Sequence, residues 1–262
     1  MTKIYIMTDL EGVAGVVDFK SQTYSDGKYF EKAKELLTEE VNACCEGLKE
    51  MGVDEILVCD AHGYGGILPE KIHKEAKLLH GRPFPYLLWI DKGWDAVFLL
   101  AHHSMNGTEN GNLNHTFQSQ RIVKMKLNGE EIGEIGFEIY LAGHFNIPVV
   151  FISGDEAACE EAEKYVPEIE KAVVKWGINR TCAISLSPFK AREVIKEKAK
   201  KAIEKINKIK PVKIEGECEL VIEYLSSSDA FSKLRAEYVE KIDARTIKIK
   251  GKNIIEVYRR RM

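Results

Sequence analysis

No C-x-x-C pair occurs in this chain, no apolar run approaches the roughly 20 residues of a membrane-spanning helix, and no basic block stands anywhere along it. The first absence excludes a zinc ribbon. The six cysteines, Cys44, Cys45, Cys59, Cys159, Cys182 and Cys218, lie mostly in apolar runs and read as reduced, buried thiols rather than a disulfide framework. The second absence excludes a helical membrane span. The third, with a formal net charge of −3, leaves no electrostatic footprint for nucleic acid. The first strand begins within three residues of the start, which leaves no room for a signal peptide and predicts a cytoplasmic protein. Repeats and low-complexity stretches are absent too. The run Gly63-Tyr64-Gly65-Gly66 lacks the spacing of a dinucleotide or phosphate loop.

What is present is a chain of 262 residues, 45% of them hydrophobic, enough for one large domain or two modest ones around a sizeable core. Short apolar runs predict buried strands over 4–8, 55–59 and 95–101, and each runs straight into metal-binding residue types. The first leads to Asp9-Leu10-Glu11, the second to Asp60-Ala61-His62, the third to His102-His103. Open α/β sheets bind ligands in the crevice beyond the carboxyl ends of their strands. Three strands that end this way point hard ligands at one place.

Between the first two strands a helix is predicted over 28–51, because Phe30, Ala33, Leu37, Val41, Cys44 and Leu48 recur at helical spacing and Gly52 is a good stop. Residues 69–73 open a short helix and 76–79 form a strand. A polar loop over 104–114 ends at His115, and residues 120–127 alternate up to Asn128-Gly129, a hairpin signal. Helices are expected over 133–145 and 156–165, with a buried strand over 148–152 between them. Pro167 is taken as a domain boundary. Beyond it come a strand at 172–176 and a helix capped by Ser187, led by Pro188 and running to about 209. Strands at 218–224 and 246–249 follow, with a helix near 229–238 between them and a solvated Arg259-Arg260-Arg261 end. The expected fold class is α/β: a Rossmann-like βαβ sheet domain over 1–167 that carries the site, and a smaller α+β domain over 168–262.

Asp9 and Glu11 stand two apart, so in extended chain both carboxylates face one way. Like charges held together need a proton or a cation between them, and a divalent metal answers that need. Taken alone, the pair serves equally well to cap the next turn through backbone N–H groups. His62 alone would more often be an ordinary loop histidine, with Asp60 either a ligand itself or the group that orients the imidazole. His102 and His103 face opposite ways, so one of them is expected at the site. His115 is either a structural histidine or a base, nucleophile or oxyanion partner. Spacing makes no choice among Glu130, Glu131, Glu134 and Glu138. Mixed carboxylate and imidazole donors suit zinc, with manganese or cobalt as alternatives, and there are groups enough for two metals about 3.5–4 Å apart.

At this point the sequence resembles the zinc-dependent D-aminopeptidases of the bacterial dipeptide (Dpp) operon. The elements TDLEG, LLTEEVNA, VCDAHG, LLAHH, NHTF, NGEEIGEIGFEIYLAG, PVVFISGDEAA and ISLSP occur in the family's order over residues 1–191, and the last third matches more loosely. The resemblance implies two zinc ions per subunit. Asp9 would bridge them, Glu11 and His62 would complete one site, and His103 and Glu134 the other. It also implies that His115 is the catalytic histidine, and that subunits form a ring-like homo-oligomer whose enclosed channel admits short peptides. The expectation is therefore a cytosolic dinuclear zinc aminopeptidase that releases the N-terminal amino acid, D- or L-configured, from short peptides.

Two rivals remain. A metal-dependent phosphoesterase would need cationic phosphate clamps, and Arg121 and Lys124 are the only basic side chains shortly after His115. A non-catalytic ring or peptide-binding protein would keep the metals for structure alone.

Overall fold

The computed structural model describes residues 1–85 and 87–261. The chain opens with β1 (Lys3–Thr8), buried along all but its first residue, and continues into α1 (Phe30–Glu50), whose buried stripe includes Phe30, Ala33, Leu37, Val41, Cys44 and Leu48. Then follow β2 (Glu55–Asp60), β3 (Ala76–Leu79) and β4 (Ala96–His102). A hairpin of β5 (Ile122–Leu127) and β6 (Glu130–Glu131) leads to α2 (Glu134–His144), β7 (Val149–Asp155) and α3 (Glu156–Tyr165). Next come β8 (Glu170–Asn179), β9 (Cys182–Ser185) and α4 (Pro188–Ile203). The last elements are β10 (Cys218–Tyr224), α5 (Ser227–Lys233), β11 (Val239–Lys241), β12 (Thr246–Gly251) and α6 (Ile254–Arg260).

Seven strands make one sheet in the order β3-β2-β1-β4-β7-β8-β9, all neighbours parallel except the β8–β9 pair. Strands covered on both faces need unbroken apolar runs rather than alternation. β4 and β7 accordingly are buried at every residue, and Phe98 stacks on Phe151 at 5.0 Å between them. α1 packs along α4, and α2 packs against α3 and α6. The five other strands form an antiparallel sheet, β11-β12-β10-β5-β6. Its β5–β6 turn has positive φ at Asn128 (51°) and Gly129 (91°), the type I′ geometry that Asn-Gly favours.

The order of the large sheet decides where ligands can collect. From β1 the chain steps outward through β2 to β3, then crosses to the other side of β1 for β4. The strand order therefore reverses between β1 and β4, and that switch point is where an open α/β sheet leaves a crevice at its carboxyl edge.

Several sequence-based expectations need correction. Pro167 does not divide the two sheets: β8 and β9 lie beyond it in the large sheet, and β5 and β6 lie before it in the small one. The Pro188 helix ends at Ile203 rather than near 209, and the helix expected near 229–238 runs from Ser227 to Lys233. The C-terminal arginines are not a simple solvated end. Ile254, Val257 and Tyr258 fall at i, i+3 and i+4 and are buried, so this stretch is the helix α6, capped by the Asn253 side chain. Arg260 pairs with Glu256 there, and Arg261 lies over the Tyr258 and Phe117 rings. The cysteines are all free, and five of the six are buried. Among the described residues, no helix is long and apolar enough to cross a membrane.

Candidate metal centre

Asp9 and Glu11 sit just past the end of β1, where the chain turns across the end of β4. The turn is anchored by Asp9 N–H donating to the Leu100 carbonyl (3.0 Å) and Gly12 N–H donating to the Ala101 carbonyl (2.8 Å). Gly12 has to be glycine, because a Cβ there would lie 2.2 Å from the His102 carbonyl oxygen. Behind the turn, the fully buried Lys175 on β8 donates from Nζ to the Glu11 carbonyl (2.5 Å) and the Val16 carbonyl (2.7 Å). Two carbonyls that would otherwise face an apolar interior are thereby satisfied. Gly12→Ala should force the carboxylate turn off β4 and cost about 3 kcal/mol or more, the upper range for overpacking, since the obstacle is backbone. A denaturant melt together with zinc content would show both losses; a wild-type melt would contradict the crowding.

His62 is aimed by its own turn. The Asp60 carboxylate accepts from the Gly66 and Ile67 amides (2.7 and 3.2 Å), so it shapes the loop. The Arg82 guanidinium donates to the His62 and Asp60 carbonyls. His62 Nε2 lies 2.8 Å from the Thr23 carbonyl, an acceptor only, so this nitrogen carries the proton. Nδ1 then faces inward, 3.1 Å from Asp9 Oδ1 and 3.1 Å from Glu11 Oε2.

The same logic holds at the end of β4. Ala101 has φ 63°, a left-handed conformation rare for alanine, and the register with β7 shifts between Leu99 and His102. This kink separates the two histidines. His102 turns to Glu138, Nε2 to Oε2 at 2.7 Å. His103 turns to the switch point: Nδ1 sits 2.9 Å from the Ser104 carbonyl, and Nε2 lies 3.1 Å from Asp9 Oδ2 and 3.3 Å from Glu134 Oε1. His115 stacks on His103 with ring centroids 3.8 Å apart. Its Nδ1 is 3.0 Å from the Leu113 carbonyl and its Nε2 3.8 Å from Glu134 Oε1. Glu134 is the first residue of α2 and also accepts from the Phe117 amide at 2.6 Å. The other glutamates lie elsewhere: Glu131 pairs with Lys124 on the exposed hairpin, Glu130 is exposed, and Glu138 holds His102.

The result is two adjoining groups, Asp9 with Glu11 and His62, and His103 with His115 and Glu134, each with ligand-type atoms within 4.8 Å of one another. Asp9 joins them, one oxygen toward His62 and the other toward His103. Burial pulls His62 and His103 down, but the carboxylates beside them outweigh it and hold both well above the ordinary histidine range. Burial likewise would raise Asp9, yet the two imidazoles hold it well below the usual carboxylate range. His115 is pushed the other way, downward, by burial and then by the His103 charge. A field that holds protons on these imidazoles would hold a divalent cation in their place.

The residues fit such a cation. Glu11 Oε2 and His103 Nε2 are buried and make no well-formed hydrogen bond among the described residues, although His62 Nδ1 and Asp9 Oδ2 respectively lie 3.1 Å away. Orphaned buried polar atoms are rare and call for an explanation such as an ion. Both imidazoles commit their protonated nitrogen to a backbone carbonyl, the outer-shell arrangement that leaves the other lone pair for a metal. The donor set suits zinc. Sequence reasoning had no means to find Thr23, Ser104 and Leu113, which act through carbonyl oxygens. Lys175 did leave a signal, a charge set in the apolar run 172–176.

Similarity to known proteins agrees with this chemistry. A family model described as D-aminopeptidase matches residues 2–262. A D-aminopeptidase of Bacillus subtilis (strain 168) is 30% identical over 262 residues, covering 98% of this chain and 94% of the relative. The solved structure described as "Zn-dependent D-aminopeptidase DppA from Bacillus subtilis, a self-compartmentalizing protease" superposes with a TM-score of 0.93 at 28% identity, over 99% of this chain and 95% of that one. A match along the whole chain, around a carboxylate–imidazole cluster at the switch point, places this protein in the D-aminopeptidase family.

Proposed function

We propose that this protein is a cytoplasmic dinuclear zinc aminopeptidase that releases the N-terminal residue of short peptides. The carrying observation is Asp9, whose two oxygens serve two groups that each contain an imidazole and a further carboxylate. Asp9, Glu11 and His62 would hold one ion, and Asp9, His103 and Glu134 the other. Bound zinc would polarise the scissile carbonyl and lower the pKa of water.

The chain's own residues do the rest. Thr23 and Ser104 carbonyls fix the tautomers of His62 and His103. His115, with its Nδ1 proton committed to Leu113, turns the Nε2 lone pair toward Glu134 and the cavity. It takes the proton of the attacking water and returns it to the departing amine, or its Nε2 attacks the carbonyl carbon. In the second route the C–N bond breaks as the amine leaves with a proton from water, and the remaining hydroxide hydrolyses the acyl-histidine. The cavity above holds about 640 Å³, room for a short peptide. D-configured peptides are the expected substrates, and the protein is expected to assemble into a ring, as the self-compartmentalizing description of the Bacillus relative suggests.

The test is zinc-loaded protein with paired L- and D-alanyl and leucyl di- and tripeptides, with released amino acids detected. N-terminal release that disappears on chelation and returns with zinc is the expected result, and the L/D ratio reads the stereochemistry. No release by protein carrying about two metals per chain would overturn the reading.

A further inference from the structure

The cavity over the cluster is charged unevenly. Its walls carry the carboxylates of Asp9, Glu11, Asp26, Glu134 and Glu138, but among the described lining residues the only lysine or arginine is Arg121. Arg121 sits in the segment that climbs from His115. That segment is held rigidly: Arg180 donates to the Asn114 and Ser119 carbonyls (3.1 and 3.3 Å), and Tyr24 Oη links Ser119 Oγ (3.2 Å) to Gln120 Nε2 (3.1 Å). The Arg121 backbone is pinned as well, with its N–H donating to Gln118 and its carbonyl accepting from Leu225.

Among the described residues its guanidinium makes no hydrogen bond: its one ion-pair partner, Asp229, lies 3.9 Å from Nε, too far for a hydrogen bond, and the side chain is 63% exposed. Arg82, Arg180, Arg192, Arg245 and Arg260 by contrast all spend guanidinium donors on protein oxygens. Arg121 therefore offers a planar fork of donors, on a fixed backbone, at the wall of the cavity, where no carboxylate hydrogen-bonds to it among the described residues. A free di- or tripeptide has matching polarity. With its amino end at the cluster, its carboxylate lies about 7–10 Å further out, at roughly 3.5 Å per extended residue.

We propose that Arg121 receives the free C-terminal carboxylate of the substrate, so that the enzyme selects peptides of two or three residues. The assignment rests on the aminopeptidase reading. Arginine suits the task because its fork meets both carboxylate oxygens at once, which lysine cannot match.

Kinetics on matched free-acid and C-terminally amidated di- and tripeptides test it. The wild type should prefer the acids. Arg121→Ala should raise KM for the acids about 10- to 100-fold, the range of a hydrogen bond to a charged group. The KM for the amides and kcat should stay near wild type, and the acid-to-amide preference should fall to about one. Arg121→Lys should recover part of the preference. An unchanged ratio in an active, normally folded Arg121→Ala variant overturns the proposal and leaves the aminopeptidase reading standing. Wild-type protein that cleaves neither series but hydrolyses phosphate monoesters in an Arg121-dependent way overturns both and assigns the guanidinium to phosphate.

Discussion

Asp9→Ala should yield a folded protein that binds zinc poorly at both positions and loses at least about 10³-fold in turnover. Of the proposed ligands, only Asp9 faces both groups, with Oδ1 3.1 Å from His62 Nδ1 and Oδ2 3.1 Å from His103 Nε2. Every other one serves a single group, so its loss should weaken one ion more than the other. Carbonyl polarisation by a bound metal is worth several kcal/mol, and each 1.36 kcal/mol is tenfold in rate. The predicted loss follows if both ions go. The fold should persist, because the crevice lies past the strand ends while the apolar strands below it make the core. Metal analysis and kcat/KM on one purified sample read both effects. Asp9→Asn should do nearly as much harm, since it keeps the shape and loses the charge. Wild-type zinc content in either variant would contradict the bridging position.

His115→Ala separates catalysis from metal binding. Turnover should fall about 10²- to 10⁴-fold, the usual contribution of a positioned acid–base group. Zinc content should hold, because Asp9, His103 and Glu134 still surround the second position. The geometry makes the experiment informative in a second way. His115 lies as close to His103 and Glu134 as a metal ligand would. Its ring stacks on His103 at 3.8 Å, so the two imidazoles lie side by side. Loss of one zinc along with activity would make His115 a ligand rather than a base. Full activity with full zinc would remove it from the mechanism altogether.

Much of this arrangement can be read in the chain before it folds. A run such as Ile4–Met7 followed by Asp9-x-Glu11 is a buried strand with hard ligands at its carboxyl end, because parallel strands must be apolar on both faces and can carry polar side chains only where they emerge. The α1 stripe and the Asn128-Gly129 turn are equally local, set by helical periodicity and by the ease with which those two residues adopt positive φ. Such signals act over a few residues, and they survive whatever the rest of the chain does. The C-terminal helix shows how easily one is overlooked: its i, i+3, i+4 apolar triad stands beside three arginines that suggest a solvated tail.

Local signals in the chain account for its α/β character, its strands, and the pool of carboxylates and imidazoles at their ends. Tertiary structure alone decided which members of that pool meet. His103 rather than His102 faces Asp9 because Ala101 is left-handed against Ser153 and Gly12. Glu134 rather than Glu130, Glu131 or Glu138 reaches the crevice because the β5–β6 hairpin, paired into a different sheet, sets where α2 begins. Each lone pair points inward because a backbone carbonyl holds the opposite nitrogen, from the distant Thr23 at His62 and from the adjoining Ser104 and Leu113 at His103 and His115. These choices depend on register between segments tens of residues apart. Side-chain chemistry supplies the candidates, but only the packed backbone brings their atoms within bonding range of a common point.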